Sequence, residues 1–268
     1  MMIWKNTATL NGFDDGLKFT DSKIEGQILL LGSKPINLND FPNVKGIFRA
    51  GIGKDNVPEK DADARGVKIC YPSEKTTEIL YNETAIFTCS IIFKMVYNNV
   101  GSLDPWIKFP RSYFCNNTLL VIGTGNIGSR LVQYMQPLLN VITFDLANDE
   151  INALNRKLSQ ADYISLHIPN TKDNIGFINQ EKLSMMKNNA TLINTARAQI
   201  VDENALYDEI KSGRLRAAFD VFWNEPYTGK LKKFHPNTFY MTPHVASTSS
   251  EFLLGCRSDL DRMIEGLI

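Results

Sequence analysis

An excess of either charge is missing from this chain. Its 29 acidic side chains balance 29 basic ones over 268 residues. No electrostatic footprint for nucleic acid or an anionic membrane follows from that balance, so neither is expected as a partner. Cysteine is sparse: Cys70, Cys89, Cys115 and Cys256 stand apart, with neither C-x-x-C spacing nor a zinc pattern. Reduced thiols in a cytoplasmic setting are the expectation, with no metal site. The first residues, Met-Met-Ile-Trp-Lys-Asn-Thr, lack the basic-then-apolar form of a secretory leader. Long hydrophobic runs are also missing. The longest, Thr84 to Val96, is interrupted by Thr88, Ser90 and Lys94, and reads as too short and too polar to span a bilayer. No repeat period or low-complexity tract is visible. What remains is a globular composition, 43% apolar and 22% charged, long enough for one or two domains.

The most informative stretch that is present is Leu119-Leu-Val-Ile-Gly-Thr-Gly-Asn-Ile-Gly128. Four apolar residues read as a buried strand, and Ile127, Leu131, Val132 and Met135 give the next segment a helical face. Between them lies G-x-G-x-x-G. Gly123 permits a tight turn, Gly125 admits a pyrophosphate to the main chain, and Gly128 lets helix and strand pack closely. The helix start at Asn126 and Ile127 offers N–H groups and a positive dipole end to phosphate. A second apolar strand, Val141 to Phe144, ends in Asp145, at the spacing of an acidic residue that takes ribose hydroxyls. Leu146 and Ala147 follow it, so a 2′-phosphate would meet a carboxylate with no cation nearby. NAD is therefore favoured over NADP.

Strand and helix patterns alternate along the chain. Short buried strands are expected at 27–31, 46–48 and 67–71, with a short helix over Asn56–Arg65. A long helix is expected from about Ile79 to Val96, then an irregular connector over Gly101–Asn117, which carries Pro105 and Pro110. Further strands are suggested at 119–122, 141–144, 163–167, 191–194, 217–221 and 239–241, and a last amphipathic helix over Ser250–Leu267. Such alternation argues an α/β protein with a parallel sheet covered on both faces. Because the dinucleotide motif lies mid-chain, a separate N-terminal domain is expected, with the substrate in the cleft between the two. The division reads as 1–79, completed by 250–268, and 80–249.

Three strand-end phrases carry the chemistry: Leu192-Ile-Asn-Thr-Ala-Arg197, Phe219-Asp220-Val-Phe-Trp-Asn-Glu225-Pro226 and Tyr240-Met-Thr-Pro-His244-Val-Ala246. In an open parallel sheet the carboxyl ends of the strands line the ligand crevice, so Arg197, Glu225 and His244 would converge there. Histidine moves protons near neutrality. A carboxylate on its other nitrogen fixes the tautomer, and a guanidinium clamps a substrate carboxylate through paired N–H bonds. Hydride transfer at C2 of a 2-hydroxy or 2-oxo acid needs those three services and no metal. A strand-end Arg also suits a surface salt bridge, and a Pro-His pair suits a plain loop. Of the three histidines, His235 reads as a solvated loop residue and His167 as a cofactor-side or positioning residue, leaving His244 as the acid/base candidate.

With Leu166-His-Ile-Pro-Asn-Thr171, Thr242-Pro-His-Val-Ala246 and the phrases above, the chain resembles the D-isomer-specific 2-hydroxyacid dehydrogenases. Upstream, Arg49-Ala-Gly-Ile-Gly-Lys-Asp-Asn56 resembles the family's substrate loop, and Asn82-Glu83 falls in its interdomain helix motif. The similarity runs in order from about residue 27 to 250. It implies a Rossmann-type doubly wound domain plus a smaller flavodoxin-like substrate domain, NAD as cofactor, a small 2-hydroxy or 2-oxo acid as substrate, and a homodimer. It also implies His244 as acid/base, Glu225 as its partner and Arg197 as the substrate clamp. Arg49 and the N–H groups of Ile52 and Gly53 would serve the substrate. Thr77 and Asp220 would touch the nicotinamide half, and His167, Pro169, Thr171, Thr195, Ala196 and Ala246 would line the rest of the cofactor site. Glu225 argues against the formate dehydrogenase branch, which has Gln there. Ala198 stands where the family usually has Gly, and Thr84 where it often has His. Gly32-Ser33-Lys34 in place of Arg-Ser puts 3-phosphoglycerate in doubt as substrate. The alternative is a non-catalytic NAD(H)-sensing binding protein of co-repressor type.

Overall fold

The computed structural model describes all 268 residues. They divide into two compact units, one of residues 1–83 with 247–268 and one of residues 84–246.

The first unit is built on four short parallel strands, β1 (Ile3–Lys5), β2 (Ile28–Leu31), β3 (Gly46–Arg49) and, after helix α1 (Glu59–Ala64), β4 (Lys68–Cys70), adjacent in that order. Every residue of β2 and β3 is buried, as expected of parallel strands covered on both faces. Outside β1, Ile3 forms a single parallel bridge to Phe19. With Phe19 as the vestige of a second strand, the order becomes 2-1-3-4-5, the flavodoxin-like arrangement. Leu29, Leu31 and Ile47 pack with Leu38, Phe41, Val57, Ala62 and Val67 as the core of this unit. The helix expected over Asn56–Arg65 is confined to α1. Asn56 instead spends its amide on the carbonyls of Gly32 and Lys34, at 2.8 and 3.1 Å, and Pro58 caps the helix.

Helix α2 (Glu74–Val96) starts five residues before the expected Ile79, because a tertiary contact rather than an apolar residue begins it. The Asp259 carboxylate accepts the Ser73 N–H at 2.8 Å and the Thr76 hydroxyl at 2.7 Å. At 23 residues α2 is, by length and composition alone, long and apolar enough to cross a bilayer, contrary to the expectation from Thr84–Val96. Its buried residues Thr76, Leu80, Thr84, Ala85, Thr88, Ile91, Ile92 and Met95 recur at three and four positions, the one-sided stripe of an interior helix.

The expected irregular connector holds an antiparallel hairpin, β5 (Gly101–Leu103) and β6 (Trp106–Lys108). The second unit then alternates β7 (Thr118–Ile122), α3 (Asn126–Met135), β8 (Asn140–Phe144), α4 (Ile151–Gln160), β9 (Tyr163–Leu166), α5 (Gln180–Ser184), β10 (Thr191–Asn194), α6 (Glu203–Lys211), β11 (Arg216–Phe219) and β12 (Phe239–Met241). All six strands from β7 on are parallel, in the order β12-β11-β10-β9-β7-β8. Period-two alternation divides β7 between two cores. Leu119 and Val121 face Ile91, Ile92 and Met95 of α2 and Leu131 and Met135 of α3. Leu120 and Ile122 belong to the larger cluster with Leu154, Leu158, Leu192, Leu206 and Phe219. In the doubly wound order 3-2-1-4-5-6 a third strand lies outside the second. Here β8 is the edge, since the segment from Asp145 to Tyr163 holds a single ten-residue helix and no strand. The chain closes with α7 (Ser250–Glu265) in the first unit, capped by the Ser249 hydroxyl.

Candidate active site

Each of the six parallel strands of the second unit delivers one expected residue at its carboxyl end. Gly123 follows β7, Asp145 follows β8, His167 follows β9 and Asp220 follows β11 without a gap, while Arg197 and His244 come three residues after β10 and β12. The dinucleotide loop has the form its sequence demands. Gly123 has φ +94°, and a Cβ there would lie 2.6 Å from the His167 carbonyl oxygen. A Cβ on Gly128 would collide with the Gly123 carbonyl oxygen, whereas nothing lies within 4 Å of one on Gly125. Gly125 caps α3 without any side-chain bond. The first N–H groups of a helix have no intrahelical acceptor, so Asn126, Ile127 and Gly128 present theirs at an open, uncapped end. That cradle fits a pyrophosphate.

The Asp145 carboxylate is held against the same loop. One oxygen accepts the Thr124 N–H at 2.7 Å and its hydroxyl at 2.6 Å, and the other accepts the Ala147 N–H at 3.0 Å. These bonds from Thr124 and Ala147 hold its pKa below the usual carboxylate value, so it is ionised at neutral pH. Asp149 is a second carboxylate at this strand end and accepts the Asp145 N–H at 2.8 Å. Thr124, the variable position between the first two glycines, was not singled out by sequence reasoning, since nothing local marks it as the residue that orients Asp145.

Glu225 and His244 are in direct contact. The imidazole Nδ1 lies 3.0 Å from both carboxylate oxygens of Glu225, one of which also accepts the Phe222 N–H at 3.1 Å. Burial pushes the Glu225 carboxyl up, but its bonds with His244 and Phe222 and the neighbouring Arg197 charge outweigh that, and its pKa lies below the ordinary value. Arg197 is thus close enough to act on Glu225, and its Nη1 donates to the Ala196 carbonyl at 2.8 Å. Glu225 and His244, named from their strand ends, are therefore in contact, and the Arg197 charge is felt by Glu225. With Nδ1 engaged, Nε2 is the nitrogen left to exchange a proton with a substrate oxygen.

His167 differs. Its Nε2 pairs with the Ser165 hydroxyl at 2.8 Å, and burial lowers its pKa to about 4, so it is a neutral ring beneath the glycine loop. Pro169 and Thr171 belong to the following loop, where the Pro169 carbonyl accepts the Asn174 amide at 2.8 Å. The Thr195 hydroxyl meets that of Thr88 on α2 at 3.0 Å, and the Ala196 N–H donates to the Asn194 side chain at 3.0 Å, so the loop leading to Arg197 is tied on both sides. The Ala246 N–H is taken by Asp220 at 2.9 Å. Trp223, two residues before Glu225, donates its indole N–H to the Val201 carbonyl at 3.0 Å and stacks on Phe219.

Within the first unit, Arg49 ends β3 and its Nε donates to Asn56 Oδ1 at 3.2 Å. The Asn56 amide bonds above and the Gly32 N–H to Asn6 Oδ1 bond at 2.9 Å knit the ends of β1, β2 and β3 together. Ile52 and Gly53 lie in the loop this network braces. Thr77 sits in the first turns of α2, its hydroxyl donating to the Glu74 carbonyl at 2.9 Å.

Residues 105–246 match the family model of the D-isomer-specific 2-hydroxyacid dehydrogenase NAD-binding domain. The chain is 31% identical over 224 residues to a hydroxypyruvate reductase of Thermotoga maritima, covering 78% of this chain and 72% of that one. It is 30% identical over 237 residues to a glyoxylate reductase of Thermofilum pendens, covering 78% and 68%. Among solved structures, a D-lactate dehydrogenase from Aquifex aeolicus, complexed with NAD and lactic acid, superposes with a TM-score of 0.80 at 22% identity, over 99% of this chain and 95% of that one. The glycine cradle, the carboxylate at the end of β8 and this domain match agree on NAD as the cofactor, and the chain belongs to the D-isomer-specific 2-hydroxyacid dehydrogenase family.

Proposed function

We propose that this protein transfers hydride between NAD(H) and C2 of a small D-2-hydroxy or 2-oxo acid, with His244 as acid/base. The observation that carries the reading is the Glu225–His244 pair, with Arg197 beside it, on the same strand edge as the glycine cradle. NAD, when bound, supplies the hydride acceptor or donor. In reduction, protonated His244 gives its Nε2 proton to the carbonyl oxygen as that oxygen gains charge. Glu225 holds the ring by Nδ1 and stabilises the imidazolium before the transfer. Arg197 orients the substrate carboxylate by a planar pair of N–H bonds, which a point charge would not do. In oxidation the neutral ring takes the hydroxyl proton. In the first unit, Arg49 and the N–H groups of Ile52 and Gly53 keep the substrate-binding role that the family resemblance gives them.

The names of the relatives suggest glyoxylate and hydroxypyruvate as first substrates to try. The same reading places the protein in the cytoplasm, in keeping with four unpaired cysteines. It also makes the protein a homodimer, supported by the exposure of Leu103, Trp106 and Tyr113 in and beyond the hairpin. Steady-state oxidation of NADH with a panel of 2-oxo acids tests the activity. Turnover with at least one acid is expected. NADH binding without turnover on any of them would favour the non-catalytic sensor instead.

A further inference from the structure

His244 has a backbone φ of +54°, the left-handed region that residues other than glycine seldom adopt. Its own N–H turns back to the Thr242 carbonyl at 3.0 Å. Such a conformation persists only where the surroundings impose it, and here one side chain makes most of the bonds to the loop. Asp220 is fully buried at the end of β11, and its carboxylate grips the loop on both sides of His244. Oδ1 accepts the Thr242 hydroxyl at 2.6 Å and the Val245 N–H at 2.9 Å, and Oδ2 accepts the Ala246 N–H at 2.9 Å. The β12 edge fixes the entry, since the Thr242 N–H continues the ladder to the Phe219 carbonyl at 3.1 Å. Three bonds to one buried carboxylate thus span residues 242–246 and leave His244 as the apex.

We infer that Asp220 is a positioning residue for His244, holding its loop in the left-handed turn that aims Nδ1 at Glu225 and turns Nε2 toward the substrate. This rests on the reading of His244 as acid/base. It is separate from the nicotinamide contact that the family resemblance gives Asp220, since it rests on the bonds of its carboxylate to the loop around His244. A carboxylate suits the task, since a neutral amide of the same shape cannot accept from the Val245 and Ala246 N–H groups and the Thr242 hydroxyl at once.

The test compares Asp220→Asn with Thr242→Val, which removes a single bond to the same carboxylate. Asp220→Asn is expected to lower kcat by about 10- to 100-fold, the cost of a displaced acid/base group, a larger factor than any rise in the NADH dissociation constant. Thr242→Val should cost less, about 3- to 10-fold, and the double variant should be no worse than Asp220→Asn, because both act through one loop. With histidine labelled in 15N, the three imidazoles are resolved separately. In the parent the His244 signal should show one fixed tautomer protonated at Nδ1, and in Asp220→Asn it should move toward the averaged position. An unmoved His244 signal, or weakened NADH binding with kcat retained, overturns the inference. If Asp220→Asn does not fold, Thr242→Val and its His244 signal decide alone. His244→Ala separates the two levels: full activity there sinks the acid/base reading itself, whereas an inactive His244→Ala beside an undisturbed Asp220→Asn sinks only this inference.

Discussion

His167 and His244 both follow strands of one sheet at its carboxyl edge, and they are prepared for opposite tasks. His167 is pressed under the glycine loop, bonded only to a hydroxyl, and burial keeps it neutral with a pKa of about 4. His244 is a third exposed, stands at the apex of a left-handed turn, and meets the carboxylate of Glu225 at 3.0 Å. An imidazole that must carry charge needs an anion and access to substrate. One that only fills space under a phosphate loop is better neutral, since a buried cation without a partner is costly. Strand-end position alone therefore does not identify a catalytic histidine; the partner on its second nitrogen does.

The sharpest way to break this contrast is to delete each ring. His244→Ala is expected to lower turnover by about 10²–10⁴-fold, the usual worth of a positioned acid/base, with NADH affinity little changed. Stopped-flow NADH oxidation measures both, and a fully active variant would hand the role to another group. A smaller loss is expected for Glu225→Gln. The amide keeps a hydrogen bond to Nδ1 but loses the charge that stabilises the imidazolium, so kcat for reduction should fall by about 10- to 100-fold, and the shape of the kcat–pH profile should change with it. A kcat–pH profile identical to the parent's would show that Glu225 only packs against the ring.

The same rule, that the neighbour sets the task, applies to Asp145. Bonds from a ribose to a charged acceptor contribute roughly 1.5–3 kcal/mol, and Asp145 already lies ionised at the end of the edge strand β8. The protein should prefer NADH to NADPH, and Asp145→Ser with Leu146→Arg should narrow or invert that preference. The ratio of kcat/KM for the two coenzymes is the measurement, and a parent that favours NADPH removes Asp145 from the ribose. Because Asp149 remains beside it, the switch should be incomplete until that carboxylate is also replaced.

The effect expected of His167 leaves the rate aside and is read in stability. Its pKa falls from 6.5 to about 4 on folding, so between those values the unfolded chain binds a proton that the folded chain refuses. Stability is then complete above about pH 6.5 and declines as pH falls toward 4, by roughly 3 kcal/mol at most. His167→Gln should flatten that part of the Tm–pH curve. A parent Tm with no greater fall between pH 6.5 and 4 than the variant's would mean the ring is not buried neutral.

Much of the second unit could be read directly. Strands β7 to β12 lie within a residue or two of the stretches their apolar runs marked out, because a strand buried on both faces leaves a continuous hydrophobic signature. The glycine turn and the side chains of Arg197, Glu225 and His244 were legible for a related reason: each is tied to a strand end by a few residues of chain. The first unit was less legible. β1 is only three residues long, and the strand beside it is reduced to the single bridge at Phe19, too little for any period to register. The hairpin over Gly101–Lys108 hid behind two prolines and an exposed apolar surface.

What the sequence determined by itself was local: backbone freedom at Gly123, burial along the strands, and the kind of chemistry carried by Arg197, Glu225 and His244. What only the tertiary structure decided was which side chains from distant segments hold these groups in place. Helix α2 begins at Glu74 because Asp259, 186 residues beyond Ser73, takes the N–H that opens it. Asp145 is aimed by Thr124 and His244 by Asp220, over 21 residues and more than 20 residues of chain respectively. Hydrogen bonds and burial depend on distance in space. Periodicity and propensity report only on distance along the chain, and for that reason a motif can name the groups of a site but not the side chains that hold them in place.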